Sequence, residues 1–221
     1  MRGIIDVMGP VMIGPSSSHT LGAIRIGQFM NNMLEGIPEK VIFHLHQSFA
    51  ETCKGHGTDR ALLAGIMGFK EYDPRVRDSI EIARNYGINY TFVKDDLGEV
   101  HPNTVRIEAW RGHIYHDIVA SSIGAGMVRF IRINGIDCDL SGEYHTLIIT
   151  NKDIQGALER ILDMIKVNVA NLYLRRISAM SKNALTIIEL DEKMNRKDLD
   201  EIKSLDVVEE AYYVESVGEK L

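Results

Sequence analysis

The chain has few of the features that would place it in a membrane or in an oxidising compartment. Among its 221 residues only Cys53 and Cys138 are cysteines, too few for a disulfide framework and, on their own, too few to ligate a tetrahedral zinc ion or an iron-sulfur cluster. No stretch approaches the roughly 18 uninterrupted apolar residues of a membrane span. Asp6 and the Gly9-Pro10 pair come too early for a signal peptide. We therefore expect a cytoplasmic protein with no membrane contact.

Basic residues are also in deficit, with 25 Lys and Arg against 31 Asp and Glu and a net charge of -6. A nucleic-acid surface needs clustered Lys and Arg, so this class of partner is not expected. What is present is ordinary for a globular protein, with 45% apolar and 25% charged residues. The length suffices to bury a core in one large domain or two small ones.

The histidines and most glycines are concentrated in the first part of the chain. All eight histidines lie at or before His145, and only Gly156 and Gly218 follow Gly142. We predict two domains, 1–142 and 143–221, with the chemistry in the first. Helices and strands mix there without strict βαβ alternation, which indicates an α+β fold. The predicted helices are 21–34, 58–69 and 76–86, and the predicted strands are 40–47, 88–93, 104–110, 113–122 and 127–133.

The last domain follows the order β-α-β-β-α-β of a ferredoxin-like fold. Residues 144–150 alternate and are rich in β-branched residues, which predicts a strand. Asn151 or Asp153 can cap a helix whose apolar residues recur at three-to-four spacing as far as Ile165. The remaining predicted elements are strands 167–180, 184–190 and 207–214 and the helix 196–204.

The segment Gly14–Thr20 joins a Gly-Pro pair, three serines and a histidine ahead of an apolar helix. The proline favours an extended glycine before it, so the helix cannot begin earlier. Ser16, Ser17 and Ser18 then offer hydroxyls and backbone N–H groups at a helix N-terminus, where an anion is favoured. His19 follows in the first turn, close enough to exchange a proton with a bound molecule. The alternative is a serine N-cap followed by surface residues.

Two more segments carry histidines in exposed settings. In Lys54–Asp59 two glycines flank His56, which lets the backbone approach a ligand and leaves the imidazole unshielded. His101 stands just ahead of a predicted strand. For both, a solvated loop histidine is the alternative. His44 and His46 share one strand face, but we find no nearby carboxylate or cysteine in the sequence to complete a metal site.

Taken in this order, Gly14–Thr20, Lys54–Asp59 and His101–Asn103 resemble the iron-sulfur-dependent L-serine dehydratases, in particular the β subunit of the two-chain bacterial form. The last domain resembles an ACT domain, so the resemblance covers essentially the whole chain. It implies a lyase, L-serine ammonia-lyase. L-Serine would lose water, and the enamine would hydrolyse through an imine to pyruvate and ammonia, a step of amino-acid catabolism and gluconeogenesis.

The resemblance also implies a partner and a cofactor. A 4Fe-4S cluster would act as Lewis acid, with its cysteines on an α chain. No metal is therefore expected on this chain, which would form a heterodimer with the α subunit and be inactive alone. The last domain would bind a regulatory ligand at Asn151 and Gly156, or would pair edge strands of two copies.

The resemblance assigns site roles as well. His56 is the first choice for the base that takes the α-proton, while His19 and His101 would orient substrate or relay protons and could exchange roles with it. Lys54 and Asp59 would support the site from behind. The expected substrate-binding residues are Ser16, Ser17, Ser18, Thr20, Gly55, Gly57 and Thr58.

Two other functions stay open at this point. A non-catalytic regulatory L-serine-binding protein would also hold a carboxylate at the three-serine helix start, although it would have no need for two imidazoles beside the substrate Cα. A homodimeric scaffold is less favoured, because it has no use for a Gly-His-Gly loop. Threonine also stays open as a substrate, since one methyl group changes binding by only about 1–3 kcal/mol.

Overall fold

The computed structural model describes Gly14, residues 16–178 and residues 180–218, so Pro15 and the first 13 residues lie outside the described part. The chain divides into two compact units. Glu143–Ser216 forms the second unit, and the first comprises the chain before it together with Val217 and Gly218. Each unit contains helices and its own sheet, so the predicted α+β class is confirmed.

The first unit is built on a six-stranded sheet with the order β2-β1-β3-β4-β5-β6. β1 and β2 run parallel, and all other neighbours are antiparallel. The strands are β1 (Lys40–Leu45), β2 (Asn89–Lys94), β3 (Thr104–Arg111), β4 (Ile114–Gly124), β5 (Met127–Ile133) and β6 (Ile136–Leu140). The helices are α1 (Gly22–Met33), α2 (Gln47–Glu51), α3 (Thr58–Ile66) and α4 (Ser79–Asn85), with a π-helical turn at Ser17–Leu21 and a 3₁₀ turn at Pro74–Asp78.

The core of this unit lies between the sheet and its helices. Burial alternates along β1, where Val41, Phe43 and Leu45 are buried and the residues between them are less so. α1 packs on β4 and β5, and α3 packs on α1. Helix α1 is buried on nearly all sides, because its middle is covered by α3 as well as by the sheet.

Helices α1 and α3 cross in backbone contact at a pair of glycines. A Cβ built on Gly65 would lie 2.2 Å from the carbonyl oxygen of Ile24 and 2.9 Å from the Cα of Gly27. A Cβ on Gly27 would lie 2.8 Å from the backbone nitrogen of Ile66. Real Cβ atoms do not approach that closely, so both positions require glycine for the helices to reach this distance. The distance between the two helices at their crossing is therefore set by contact between their main chains.

Some elements differ from the prediction. β1 ends at Leu45, because His46 and Gln47, which were expected to extend it, are the N-cap and the first residue of α2. The five residues of α2 are too few to show a helical period. β6 was not predicted, although its Ile-Asp-Cys-Asp-Leu sequence alternates as a strand does. The first turn before α1 is π-helical rather than α-helical.

The second unit has the predicted order of elements. They are β7 (His145–Lys152), α5 (Ala157–Leu162), β8 (Val169–Arg176), β9 (Asn183–Leu190), α6 (Arg196–Lys203) and β10 (Val208–Val214), in an antiparallel sheet ordered β10-β7-β9-β8. Leu147, Ile149, Ile188 and Ile202 belong to its buried core. The predicted helix start was wrong, because α5 begins only after Gly156, which takes a φ of 81° as N-cap.

The described helices are short. The longest, α1, has 12 residues, whereas about 20 apolar residues are needed to cross a bilayer. None of the helices in the described part is long and apolar enough to span a membrane.

Replacing Gly65 by alanine should destabilise the first unit by about 1–3 kcal/mol, the usual cost of overpacking, because the new methyl group meets main chain that cannot rotate away. Urea unfolding followed by circular dichroism would measure it. Gly55→Ala is the matched control, since a Cβ there would lie 3.7 Å from its nearest neighbour, an ordinary contact. Equal unfolding midpoints for the two variants would contradict the tight crossing.

Candidate active site

The first histidine motif, Gly14–Thr20, leads into helix α1 through a wide π-helical turn at Ser17–Leu21. The N–H of Gly22 donates to the carbonyl of Ser17, five residues earlier. Such turns are rare and often occur at functional sites. Ser16 is the N-cap, and its Oγ accepts the backbone N–H of His19 at 3.1 Å.

The three serines of this motif are not equivalent. The capping interpretation holds for Ser16, whose hydroxyl is used by the backbone. Ser17 and Ser18 are half-buried, and within the described ranges their hydroxyls have no hydrogen-bond partner. These two hydroxyls therefore remain available at the helix start for an anion.

His19 lies at the centre of the site. Its Nε2 is 3.1 Å from the Oγ of Ser48, and its Nδ1 is 3.4 Å from the Oγ of Ser16. Its ring meets that of His56 edge-on at 4.8 Å between centroids, and Phe49 contacts it at 5.5 Å. The structure thus brings together the two histidines predicted from separate motifs, and adds Ser48 and Phe49 from the unpredicted helix α2.

The second motif reaches the first through its loop and through helix α3. Gly57 is the N-cap of α3 and takes a φ of 72°, which favours glycine. Thr20 is buried and its Oγ1 donates to the carbonyl of His56 at 3.4 Å, so Thr20 ties the two motifs together. The His56 side chain is exposed, as expected of an imidazole between two glycines.

The surroundings of His19 favour its neutral form. Its pKa is lowered, first because partial burial penalises the charged ring and second because His56 repels a second positive charge. A neutral imidazole carries one donor and one acceptor nitrogen, so it can pass a proton between its neighbours.

Lys54 and Asp59 border a groove behind the Gly-His-Gly loop. The groove has a volume of about 330 Å³, and Gly55 and Cys53 also line it. Burial raises the pKa of the Cys53 thiol to about 11, and the negative charge of Asp59 adds to this shift. The Asp59 carboxylate also accepts the backbone N–H of Arg60.

Three buried polar atoms close to these motifs have no hydrogen-bond partner within the described residues: Thr58 Oγ1, Asn103 Oδ1 and Ser122 Oγ. Ser122 donates its N–H to the carbonyl of Asn103, and its Oγ would lie 2.0 Å from a Cβ on Gly22. A buried polar atom without a partner costs about 1–3 kcal/mol. The third motif, His101–Asn103, therefore comes close to the start of helix α1 through Asn103.

His101 itself lies apart from the other two histidines. Its side chain is exposed, and its Nδ1 accepts the N–H of Asn103 at 3.1 Å. It borders a separate groove of about 470 Å³ with Ser121 and Ile123. Across the part of the chain that is described, no hydrogen bond or ring contact joins it to His19 or His56.

His44 corrects the sequence interpretation. We expected no carboxylate near it, but its ring lies between Asp95 at 3.0 Å and Glu108 at 2.8 Å. Both carboxylates come from other strands or loops, so sequence spacing could not show them. His46 leaves the strand and is buried, with Nδ1 accepting the N–H of Leu97.

The two cysteines lie on different elements, and both are free thiols. Cys53 is half-buried in the segment between α2 and α3. Cys138 lies in β6 and its thiol donates to the carbonyl of Phe130. Among the described residues, no group of three or more His, Cys, Asp or Glu side chains is arranged to hold a metal ion.

In the second unit, Asn151, expected together with Gly156 at a regulatory ligand, lies in β7. It is buried, its Nδ2 donates to the carbonyl of Lys152, and its Oδ1 accepts the Thr186 hydroxyl. Gly156 stays open, with no atom within 4 Å of the place where a Cβ would stand.

Comparison with known proteins decides the family. Residues 4–86 match the family model described as serine dehydratase beta chain. A probable L-serine dehydratase β chain of Bacillus subtilis (strain 168) is 36% identical over 92% of this chain and 94% of its own length. The L-serine dehydratase β chain of Peptoniphilus asaccharolyticus is 36% identical over 95% of this chain and 96% of its own. This chain belongs to the L-serine dehydratase β chains.

A further relative matches this dehydratase β chain over a smaller part of its own length. The L-serine dehydratase of Helicobacter pylori (strain ATCC 700392 / 26695) is 28% identical over 138 residues. These cover 52% of the β chain but 30% of the relative, so most of the relative has no counterpart in the alignment. The serine dehydratase family is in general iron-sulfur dependent, and the β-chain name implies a second subunit.

The lowered pKa of His19 makes stability depend on pH. A histidine whose folded pKa lies below its unfolded value stabilises the fold above the unfolded pKa, and this contribution is lost as pH falls through the folded pKa. The free energy of unfolding should therefore fall between about pH 8 and pH 5. The fall should be smaller in His19→Gln, as urea titrations would show. An identical pH dependence of the free energy of unfolding in both proteins would contradict a neutral, half-buried His19.

Proposed function

We propose that this chain supplies half of the active site of an L-serine dehydratase, which converts L-serine to pyruvate and ammonia. The observation that carries the proposal is the contact between His19 and His56 beside a serine-rich helix start. A proton donor or acceptor and an anion site thus stand next to each other, as removal of an α-proton from an amino acid requires. Membership of the dehydratase β chains supports this assignment.

The substrate carboxylate would bind at the first turn before α1. Ser17 and Ser18 have unused hydroxyls there, and the N-terminal backbone N–H groups favour a negative charge. Ser16 would act indirectly, because its hydroxyl already caps the turn. Thr20 would hold the second motif in place through the His56 carbonyl rather than touch the substrate.

His56 is the proposed base. Its exposed ring can approach the Cα of a bound serine, and Gly55 and Gly57 leave space on both sides of it. The buried Thr58 would form the floor of this region, and Lys54 and Asp59 would shape the groove behind the loop.

His19 would orient substrate or relay a proton through the hydroxyls of Ser16 and Ser48, which its two ring nitrogens face. We propose for His101 a role in orienting substrate or subunit, because its groove is separate from the two-histidine contact. An enzyme places a base at the substrate Cα, whereas a regulatory serine-binding protein does not need one, and this distinguishes the two functions.

We propose that the 4Fe-4S cluster of the family is held by a cysteine-bearing α subunit. The chemistry of Cys53 and Cys138 supports this, since neither belongs to a ligand set in the described part. The exposed His56 and the open grooves beside it would be covered by that subunit. The β chain would then be inactive alone, and the complex would work in the cytoplasm.

We further propose that residues 143–221 form an ACT-like regulatory or dimerisation domain, and that residues 1–142 form the substrate-binding domain. β8 is an edge strand of its sheet, and Leu172 and Leu174 on it are exposed. Such an edge can pair with that of a second copy. A regulatory amino acid would bind near Gly156, where space is open, and Asn151 would act only by holding β7 and β9 together.

The pure chain should show no dehydratase activity, and activity should appear on anaerobic co-expression with a partner that carries clustered cysteines. Pyruvate release from L-serine is the measurement. The pure chain without iron is the control. Activity from that control would contradict the proposed division of the site, and serine binding without turnover in the complex would favour the regulatory alternative.

His56→Ala in the assembled enzyme should lower kcat by about a hundredfold or more, the usual effect of losing a positioned base. The exposed ring contributes little to folding, so the variant should remain folded. His113→Ala, at an exposed histidine on the turn between β3 and β4, is the matched control and should keep full activity. Turnover near the wild-type level in His56→Ala would place the base elsewhere.

A further inference from the structure

Helix α2 places a serine against the histidine at the centre of the site. The Oγ of Ser48 is 3.1 Å from the Nε2 of His19. The backbone of Ser48 is fixed, because its carbonyl accepts both the N–H and the Oγ1 of Thr52. The start of α2 is fixed as well, since His46 donates its N–H to the carbonyl of Thr104. The backbone hydrogen bonds of α2 therefore fix the position of Ser48 next to His19.

The two ring nitrogens of His19 face the hydroxyls of Ser16 and Ser48, and these two hydroxyls differ in their other hydrogen bonds. The Oγ of Ser16 already accepts the backbone N–H of His19, and its own hydrogen can be directed at Nδ1, 3.4 Å away. When Nδ1 accepts that hydrogen, the ring proton lies on Nε2, because a neutral imidazole has one donor and one acceptor. In this arrangement Nε2 would donate to the Oγ of Ser48, 3.1 Å away.

We propose that Ser48 is a positioning residue that holds His19 in the Nε2-protonated tautomer, with its ring in contact with that of His56. The Phe49 ring closes another side of His19, so the Ser48 hydrogen bond and this contact together restrict ring rotation. Without Ser48 the Nε2 proton has no acceptor here, and the ring can flip or change tautomer. Only the kinetic consequence of the proposal rests on the proposed function.

The tautomer can be observed in the full chain without activity. Long-range proton–nitrogen NMR spectra of the chain labelled with ¹⁵N-histidine should show for His19 one protonated and one unprotonated nitrogen, with the proton on Nε2. In Ser48→Ala the two shifts should move toward averaged values. Ser48→Thr keeps a hydroxyl and should restore the wild-type pattern. Ser204→Ala, at an exposed serine in the second unit, is the control.

Two spectral results would overturn the proposal. One is a wild-type His19 protonated on Nδ1, which needs no variant to be seen and so does not depend on Ser48→Ala folding. The other is a Ser48→Ala spectrum identical to that of the wild type.

The kinetic arm uses the enzyme assembled with its α subunit. Loss of the group that orients a metal-bound histidine typically lowers activity by about 10- to 100-fold. For Ser48→Ala we expect the low end of this range, about a tenfold lower kcat, with a smaller change in KM. Ser48→Thr should recover most of kcat. An active wild-type complex in which Ser48→Ala keeps full kcat would overturn the positioning role. Failure of the wild-type complex to dehydrate serine would count against the proposed function, and the NMR spectra would still decide the role of Ser48.

Discussion

The candidate site depends on the backbone contact between helices α1 and α3 at Gly27 and Gly65. Each helix begins at one of the two histidine motifs, so the distance at the crossing sets the distance between the helix starts. A side chain at either glycine would have to separate the helices, because main chain cannot rotate out of its way. The 4.8 Å contact between His19 and His56 thus depends on residues that carry no chemistry.

Once the rings meet, electrostatics limits what they can do. Two adjacent imidazoles repel each other when both are charged, and the ring of His19 is more buried than that of the exposed His56. The two histidines therefore differ in environment, although each belongs to a motif that leads into a helix. The half-buried His19, in contact with two serine hydroxyls, suits relay of a proton, and the exposed His56 suits contact with a substrate. This division follows from local packing and needs no added assumption about the reaction.

The sequence predicted what depends on local pattern, and missed what depends on distant residues. The order of the second unit follows from alternation and helical spacing, and the convergence of the first two motifs was expected from the family resemblance. Ser48 was missed because α2 is only five residues long, too short to show a period. The carboxylates around His44 were missed because strand pairing brings them from positions 51 and 64 residues away. Asn151 is buried by a partner on β9 that its polar neighbours could not indicate.

The open state of the site argues for completion by another chain. Exclusion of water from an active site strengthens the electrostatic interactions inside it. Here the proposed base is exposed, and two serine hydroxyls at the helix start have no partner among the described residues. A subunit that covers His56 while substrate fills the helix start would shield the base and give these hydroxyls a partner, so substrate binding and subunit contact would each favour the other.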